Sequence, residues 1–331
     1  MSAGQREVGA REVGADDADI RLDRWFRRYF PGLTQGMIEK LCRTGQIRAD
    51  GRRVEANTRL QPGAAVRIPP PVLAASLSAP PKAEQPLDPR VVKDLERMVL
   101  YRDDWLIVVN KPAGLATQGG PGITKHLDGM LDGLRFGAPD RPRLVHRLDR
   151  ETSGLLLLAR SPGNAAKLAT AFRARTVRKT YWAVVLGLPV PMEGVIDQAL
   201  TRREGLGGAR SAIAHPSDPE AQKAVTEYET LDHAGRKFSW LALYPHTGRT
   251  HQLRVHCAAL GNAILGDEAY GGDTDLTTLT PRLHLHARAL SLPHPAGGVL
   301  QVAAPLPAHM EETFRQLGFV APAAEAPRWR R

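Results

Sequence analysis

Apolar positions fall into two regimes along this chain, short helical stripes before residue 70 and longer strand-like runs beyond residue 100. In the first, Leu22, Trp25, Phe26 and Tyr29 line one helical face and Met37, Ile38 and Leu41 a second. Two short helices are therefore predicted to pack on each other. Ile47 to Val54, with Asp50-Gly51 at its centre, reads as a hairpin. A stretch rich in Pro, Ala and Ser follows (PPPVLAASLSAPPKAEQPLDP), which cannot hold a helix or a central strand and divides the chain. Beyond it, Trp105–Asn110 and Gly154–Ala159 are apolar runs of strand length. Ser161 and Pro162 form an N-cap and first-turn proline ahead of Ala165, Leu168, Ala169 and Phe172 at helical spacing. Lys179–Leu186, Ala224–Leu231 and Phe238–Tyr244 alternate β-branched and aromatic residues, as a sheet with one covered face does. Arg202–Glu220, rich in Gly, Pro and charge, reads as a long loop.

The predicted fold class is α+β, a mixed and mainly antiparallel sheet with flanking helices behind a small first domain. The opening residues repeat REVGA without an apolar face, so residues 1–18 are expected to be a disordered tail. The other expected segments are a small domain at 19–70, a linker at 71–92, a large domain at 93–320 and a second disordered tail at 321–331.

Charge sharpens this picture. Lys and Arg outnumber Asp and Glu by 45 to 35 in 331 residues, and a field of that sign suits a polyanionic partner. Two cysteines, Cys42 and Cys257, form no paired framework, so a reducing cytoplasm is expected. No apolar run reaches membrane-spanning length and the amino terminus lacks a signal-peptide pattern, which sets membrane and export roles aside. His251, His256, His284, His286 and His294 have no HxxxH or HExxH spacing, so no metal is expected. The oligomeric expectation is a monomer.

In the small domain, Arg24, Arg27, Arg28, Lys40, Arg43, Arg48, Arg52 and Arg53 lie on or just after the faces opposite the apolar stripes. A charged surface beside a rigid hairpin can track a phosphate backbone. The segments RLDRWF, MIEKLCRTGQIRADGRRV and PGAAVRI, in that order, resemble the S4 RNA-binding domain over residues 20 to 69. The resemblance implies a grip on structured RNA, with Arg43 and the Gly45–Arg53 segment as phosphate contacts. Arg24, Lys40, Arg48 and Arg52 join them as expected RNA-binding residues.

The large domain carries a polar loop, His146-Arg147-Leu148-Asp149-Arg150-Glu151-Thr152-Ser153-Gly154, that runs straight into an apolar strand. A carboxylate at the edge of a rigid strand can be held in one geometry, and flanking Arg147 and Arg150 favour its ionised form. A second stretch, RKTYWAVVLG from Arg178, places Lys179 and Tyr181 on a strand. In a third, HTGRTHQLRVH from His246, Thr247 can cap a helix on which Arg249, Leu253 and His256 share a face, closed by Gly261.

Together with Asn110-Lys111-Pro112-Ala113-Gly114-Leu115, these stretches resemble, over residues 95 to 310, the pseudouridine synthase family that includes ribosomal large subunit synthases C and D and the tRNA and rRNA enzyme A. The resemblance implies that Asp149 is the catalytic aspartate, that Tyr181 lies against the target base and that Arg249 pairs with Asp149. Lys111, Arg147, Arg150, Lys179, His251 and Arg254 are the expected RNA contacts of this domain. The implied reaction converts uridine to pseudouridine in structured RNA, foremost 23S rRNA or a pre-ribosomal particle, with tRNA as another substrate of such enzymes, and it needs no cofactor. Between the C and D types the reading leans to C. Two rivals are a non-catalytic S4-type RNA-binding or ribosome-assembly factor and a carboxylate glycosidase; the latter wants two acids where only Asp149 is marked.

Overall fold

The computed structural model describes residues 9–14, 17, 19–30, 32–73, 87–120, 122–203, 210–271 and 279–322. It divides into two compact units, Met1–Pro86 and Leu87–Arg331. Among the described residues no helix is long and apolar enough to cross a membrane.

In the first unit the two expected helices form, α1 at Leu22–Tyr29 and α2 at Gln35–Arg43. Leu22, Trp25, Phe26 and Ile38 are fully buried between them and the strands, while Met37 points outward at 47% exposure. The strands are β1 at Gly9–Glu12, β2 at Ile20–Arg21, β3 at Arg48–Ala49, β4 at Arg52–Arg53, β5 at Arg59–Leu60 and β6 at Ala65–Ile68. They pair as β1-β6-β3-β4 and β2-β5. Asp50 and Gly51 both take positive φ, 48° and 73°, the backbone that a two-residue type I′ hairpin turn needs.

The start of the chain departs from the expected tail. Gly9–Glu12 pairs antiparallel with Ala65–Ile68, Val13 enters the core, and the buried Asp17 carboxylate binds Arg28 and accepts from Tyr29 Oη. Strand addition of this kind rests on main-chain hydrogen bonds and one apolar side chain, neither of which leaves a periodic trace. The remainder of the expected tail, residues 1–8, 15, 16 and 18, lies outside the described residues.

The expected linker is also shorter than 71–92. Its central part, 74–86, lies outside the described residues. At its end Asp88 accepts from Arg90 N (2.8 Å) and Pro89 opens helix α3, Pro89–Arg97. A proline at the first helical position gives up an amide that has no partner there anyway.

The second unit is built on β7 (Val99–Arg102), β8 (Leu106–Lys111), β9 (Arg143–Leu144), β10 (Ser153–Ala159), β11 (Arg178–Leu186), β12 (Glu193–Asp197), β13 (Leu200–Arg203), β14 (Arg210–Ile213), β15 (Val225–Ala234), β16 (Phe238–Pro245), β17 (Leu285–Pro293) and β18 (Val299–Ala303). The main sheet runs β12-β15-β16-β11-β17-β10-β8-β7, with β18 beside β17 and β9 beside β10. Every described pairing in it is antiparallel except β10 with β17. The unit is thus α+β on a mixed, mainly antiparallel sheet. Among the described residues four α-helices follow α3: α4 (Leu127–Met130), α5 (Pro162–Arg173, with Ser161 accepting from Asn164 N), α6 (Gln252–Ala259) and α7 (Ala308–Leu317). β13 and β14 form a hairpin where a long loop was expected, and its tip, 204–209, lies outside the described residues. Residues 323–331 of the expected second tail lie outside them as well.

Candidate active site

Three segments converge on one cavity of about 960 Å³: the loop before β10, strand β11, and the turn leading into α6. The loop is pinned on both sides of Asp149. Ahead of it, the imidazole of His146 accepts from Leu157 N (2.9 Å) and stacks on Phe172. Burial first, then the Lys179 charge, pushes its pKa down to about 3, so the ring is a neutral strut. The Thr117 hydroxyl donates to Leu148 O (2.7 Å) and accepts from Leu148 N (3.3 Å). After the aspartate, Thr152 N donates to Asp149 O (3.2 Å). Ser153 Oγ lies 2.9 Å from Nδ1 of buried His286. Gly154, at φ 108°, abuts β17 so closely that a Cβ would sit 2.3 Å from Ala287 O, so no other residue fits without displacing a strand.

Lys111 is the residue the sequence reading placed most wrongly. It was expected to touch RNA, yet its side chain is fully buried and its Nζ donates to Pro112 O (2.9 Å), Leu115 O (2.8 Å) and Arg150 O (3.0 Å). Burial drives its pKa down to about 8, with Glu151 and Asp149 pulling the other way. A lysine beside a polar loop motif looks like a surface cation; only convergence of the 111–115 and 149–151 segments turns it into a clamp. Arg150 joins the same junction, its Nε 3.2 Å from both Gly114 O and Glu151 Oε1, with two thirds of its side chain exposed.

Strand β11 carries Lys179 and Tyr181 into the cavity wall. Its pairing with β17 shifts between Thr180 and Tyr181, where Tyr181 meets Ala287 and Thr180 meets Ala289. Such bulges re-aim side chains. Burial, then the charge of Asp149, raises the Tyr181 pKa above the ordinary tyrosine range, so the phenol keeps its proton. Burial lowers that of Lys179.

The third segment differs most from expectation. Helix α6 starts at Gln252, so Arg249 precedes it and shares no helical face with Leu253 and His256. Thr247 does not cap the helix in the expected way; its hydroxyl donates to Gln252 Oε1 (2.7 Å) and accepts from Val225 N (2.9 Å). Gln252 also accepts from Arg249 N (3.0 Å) and donates to Val225 O and Thr226 Oγ1 (3.0 Å each), locking the turn onto β15. Arg249 is exposed and its Nε donates to Lys223 O (3.1 Å); the expected ion pair with Asp149 is not formed. The cation held inside is Arg254. Its Nε and Nη2 reach Asp267 Oδ2 (2.7 Å) and Oδ1 (2.6 Å), a bidentate pair beside the Tyr270 ring. Burial opposes the guanidinium charge, but Asp267, and then Asp149, hold its pKa above the ordinary value. Asp149 itself, 21% exposed in its side chain, has His251 within ion-pair range, Nε2 to Oδ2 at 3.9 Å. Asp267 and Tyr270 escaped the sequence reading, although they follow α6 within one short turn-rich segment.

Seven cations, Arg147, Arg173, Arg175, Arg178, Lys179, Arg249 and Arg254, line the cavity against two carboxylates, Asp149 and Glu227. Such a pocket attracts a polyanion, and of its two acids Asp149 is the more recessed, 21% exposed against 42% for Glu227. Of the cations expected in the first unit, Arg24, Lys40, Arg43 and Arg52 are exposed. Arg48 instead braces its own hairpin, donating to Gly45 O (3.2 Å) and Gly51 O (3.1 Å). Among the described residues, no three His, Cys, Asp or Glu side chains gather as a metal centre would require.

Comparison with known proteins identifies the surroundings of this site. A family model described as RNA pseudouridylate synthase matches residues 105–259. Ribosomal large subunit pseudouridine synthase C of Rickettsia typhi is 36% identical over 82% of this chain and 89% of its own. The enzyme of that name from Vibrio cholerae is 32% identical over 96% of this chain and 99% of its own. Among solved structures, human RNA pseudouridylate synthase domain containing 4 superposes with a TM-score of 0.60 and 32% identity, over 70% of this chain and 97% of its own.

Proposed function

The chain belongs to the RNA pseudouridylate synthase family and is an enzyme that isomerises uridine in RNA; we propose that Asp149 is its catalytic carboxylate and 23S rRNA of the large ribosomal subunit its substrate. The observation that carries the assignment of Asp149 is its position: a partly exposed carboxylate on a doubly pinned loop, inside a cavity whose lining holds seven Lys and Arg side chains against two carboxylates. The rRNA assignment, and the C type over the D type, rest on the relatives named ribosomal large subunit pseudouridine synthase C. Exposed Arg24, Lys40, Arg43 and Arg52 support an S4-like role for the first unit, gripping RNA backbone. The enzyme acts in the cytoplasm as a monomer without a cofactor.

The chemistry breaks the bond from N1 to C1′, turns the base, and joins C5 to C1′; N1 gains a proton and C5 loses one. The target nucleotide must leave its stack to reach an acid recessed in the cavity, and the cavity is large enough for a flipped base and its ribose. Asp149 either attacks the sugar or base, or removes a ribose proton to begin elimination. Tyr181, protonated and set beside it, gives the base a flat apolar surface. Arg147, Lys179 and Arg249 take the flanking phosphates at the cavity wall.

The deciding experiment is Asp149→Asn. With RNA from cells lacking the gene, labelled with uridine tritiated at C5, the wild-type enzyme releases tritium as pseudouridine forms. The variant is expected to release none while binding the RNA as tightly. A variant that turns over at the wild-type rate sinks the assignment, and carbodiimide mapping that finds the lost pseudouridines in tRNA instead of 23S rRNA moves the substrate.

A further inference from the structure

We propose that His251, read from sequence as an RNA contact, is a positioning residue that orients Asp149 and is itself set by a hydrogen-bonded series from the β13–β14 hairpin through Tyr270. This rests on Asp149 being the catalytic carboxylate. His251 sits at φ 54°, a left-handed backbone that is disfavoured for a non-glycine residue and persists only where its surroundings over-determine it. Both ring nitrogens are engaged. Nδ1 lies 2.8 Å from Tyr270 Oη and Nε2 lies 3.9 Å from Asp149 Oδ2, with the imidazole edge-on to the Tyr270 ring.

The series starts at a main-chain donor. Ser211 N, on β14, donates to Tyr270 Oη (3.2 Å). In the arrangement proposed, the phenol oxygen accepts there and its own proton goes to His251 Nδ1. A neutral imidazole with an occupied Nδ1 lone pair carries its proton on Nε2, the atom nearest Asp149. The carboxylate therefore faces an N–H and not a lone pair. The charged and titratable groups around the ring are Asp149 and Arg147 from the loop before β10, Arg254 from α6, and Asp267 and Tyr270 from the segment after it. Of these, Arg254 gives Nε and one Nη2 hydrogen to Asp267 and keeps other N–H donors near Asp149, whose charge acts on it. His251 joins it, with Nε2 facing Asp149 Oδ2 directly. A contact of 3.9 Å is longer than a hydrogen bond, and catalytic contacts of this kind tighten when substrate fills the site.

The test measures tritium release and filter-binding affinity on the same RNA for His251→Ala, His251→Gln and Tyr270→Phe, beside Asp149→Asn. His251→Ala is expected to lower kcat on the order of 10²-fold, the scale of a misplaced catalytic group, with KM and RNA affinity within about 2-fold of wild type. Glutamine, which keeps an N–H donor near the Nε2 position, is expected to recover at least roughly tenfold of that loss. Tyr270→Phe removes one oxygen, leaves the fold intact, and is expected to fall between the two, so the inference does not hang on the alanine variant folding. A raised KM or weakened binding at unchanged kcat makes His251 an RNA contact and overturns the inference, as does unchanged kcat in all three variants. If Asp149→Asn is inactive while His251→Ala is not impaired, this inference alone fails; if Asp149→Asn is active, the assignment of Asp149 falls and takes this one with it.

Discussion

Replacing Lys111 with Met keeps the length of the side chain and deletes its donor. Pro112 O and Leu115 O lose their donor, while Arg150 O keeps Gly114 N (2.9 Å), and each carbonyl left without a partner costs about 1–3 kcal/mol. Relief of the ammonium's desolvation works the other way. Its fall from 10.5 to about 8 corresponds to about 3 kcal/mol at ~1.4 kcal/mol per unit. The balance is a loss of at most about 3 kcal/mol, or up to roughly 10 °C in Tm for a domain of this size. The same clamp fixes the backbone on either side of Asp149, so kcat should also fall, on the order of 10²-fold for a displacement of about 1 Å. Urea denaturation measures the first effect, and tritium release well below the transition measures the second. A Lys111→Met enzyme with unchanged stability and kcat but a raised KM would refute the reasoning and return Lys111 to the RNA surface.

The two arginines of the third segment should separate cleanly. Arg254→Ala leaves Asp267 buried without its partner and is expected to cost about 3–5 kcal/mol, whereas Arg249→Ala should raise KM with little change in stability; equal effects on stability in calorimetry would contradict this. Burial pushes His284 down to about 4 and His286 to about 3. The unfolded chain therefore binds protons that the native state refuses as pH falls below 6.5, and stability that is complete above that pH should drop by about 2 kcal/mol per histidine by pH 5; an unmoved urea midpoint between pH 7 and 5 would count against it. Gly154→Ala, whose Cβ would meet Ala287 O at 2.3 Å, is expected to cost more than about 3 kcal/mol and to yield little soluble protein, and a thermal scan matching wild type would exclude the close approach.

What could be read beforehand was whatever a short segment determines alone. The Asp50-Gly51 turn, the stripe on α1 and the apolar β10 all depend on neighbours within a few residues, and all formed where expected. Strand β17 was not read, because it is buried on both faces yet carries His286 and Arg288, so it shows neither alternation nor an apolar run. The site followed the same division. The place of Asp149, in a contiguous polar loop leading into a strand, was legible; the clamp of Lys111 on Arg150 and the approach of His251 to Asp149 depend on a distant segment, and the bidentate hold on Arg254 on an Asp267 that only the turns after α6 fold back. Arg249 and Arg254 are five positions apart and chemically alike, and only the start of α6 at Gln252 decides which of them is held inside.

The single parallel seam in the described sheet, Ser153 and Gly154 on β10 against His286 and Ala287 on β17, also sets a schedule. The loop bearing Asp149 leaves the synthesising ribosome long before β17 exists, with 133 positions between Ser153 and His286. At ~5–20 residues per second that interval lasts roughly 7–27 s. During it β10 has no β17 neighbour, and the turn that brings His251 and Arg254 is absent for most of the time. A nascent chain therefore cannot close the cavity around Asp149 early, and its three wall segments meet only once nearly the whole of the described second unit has emerged.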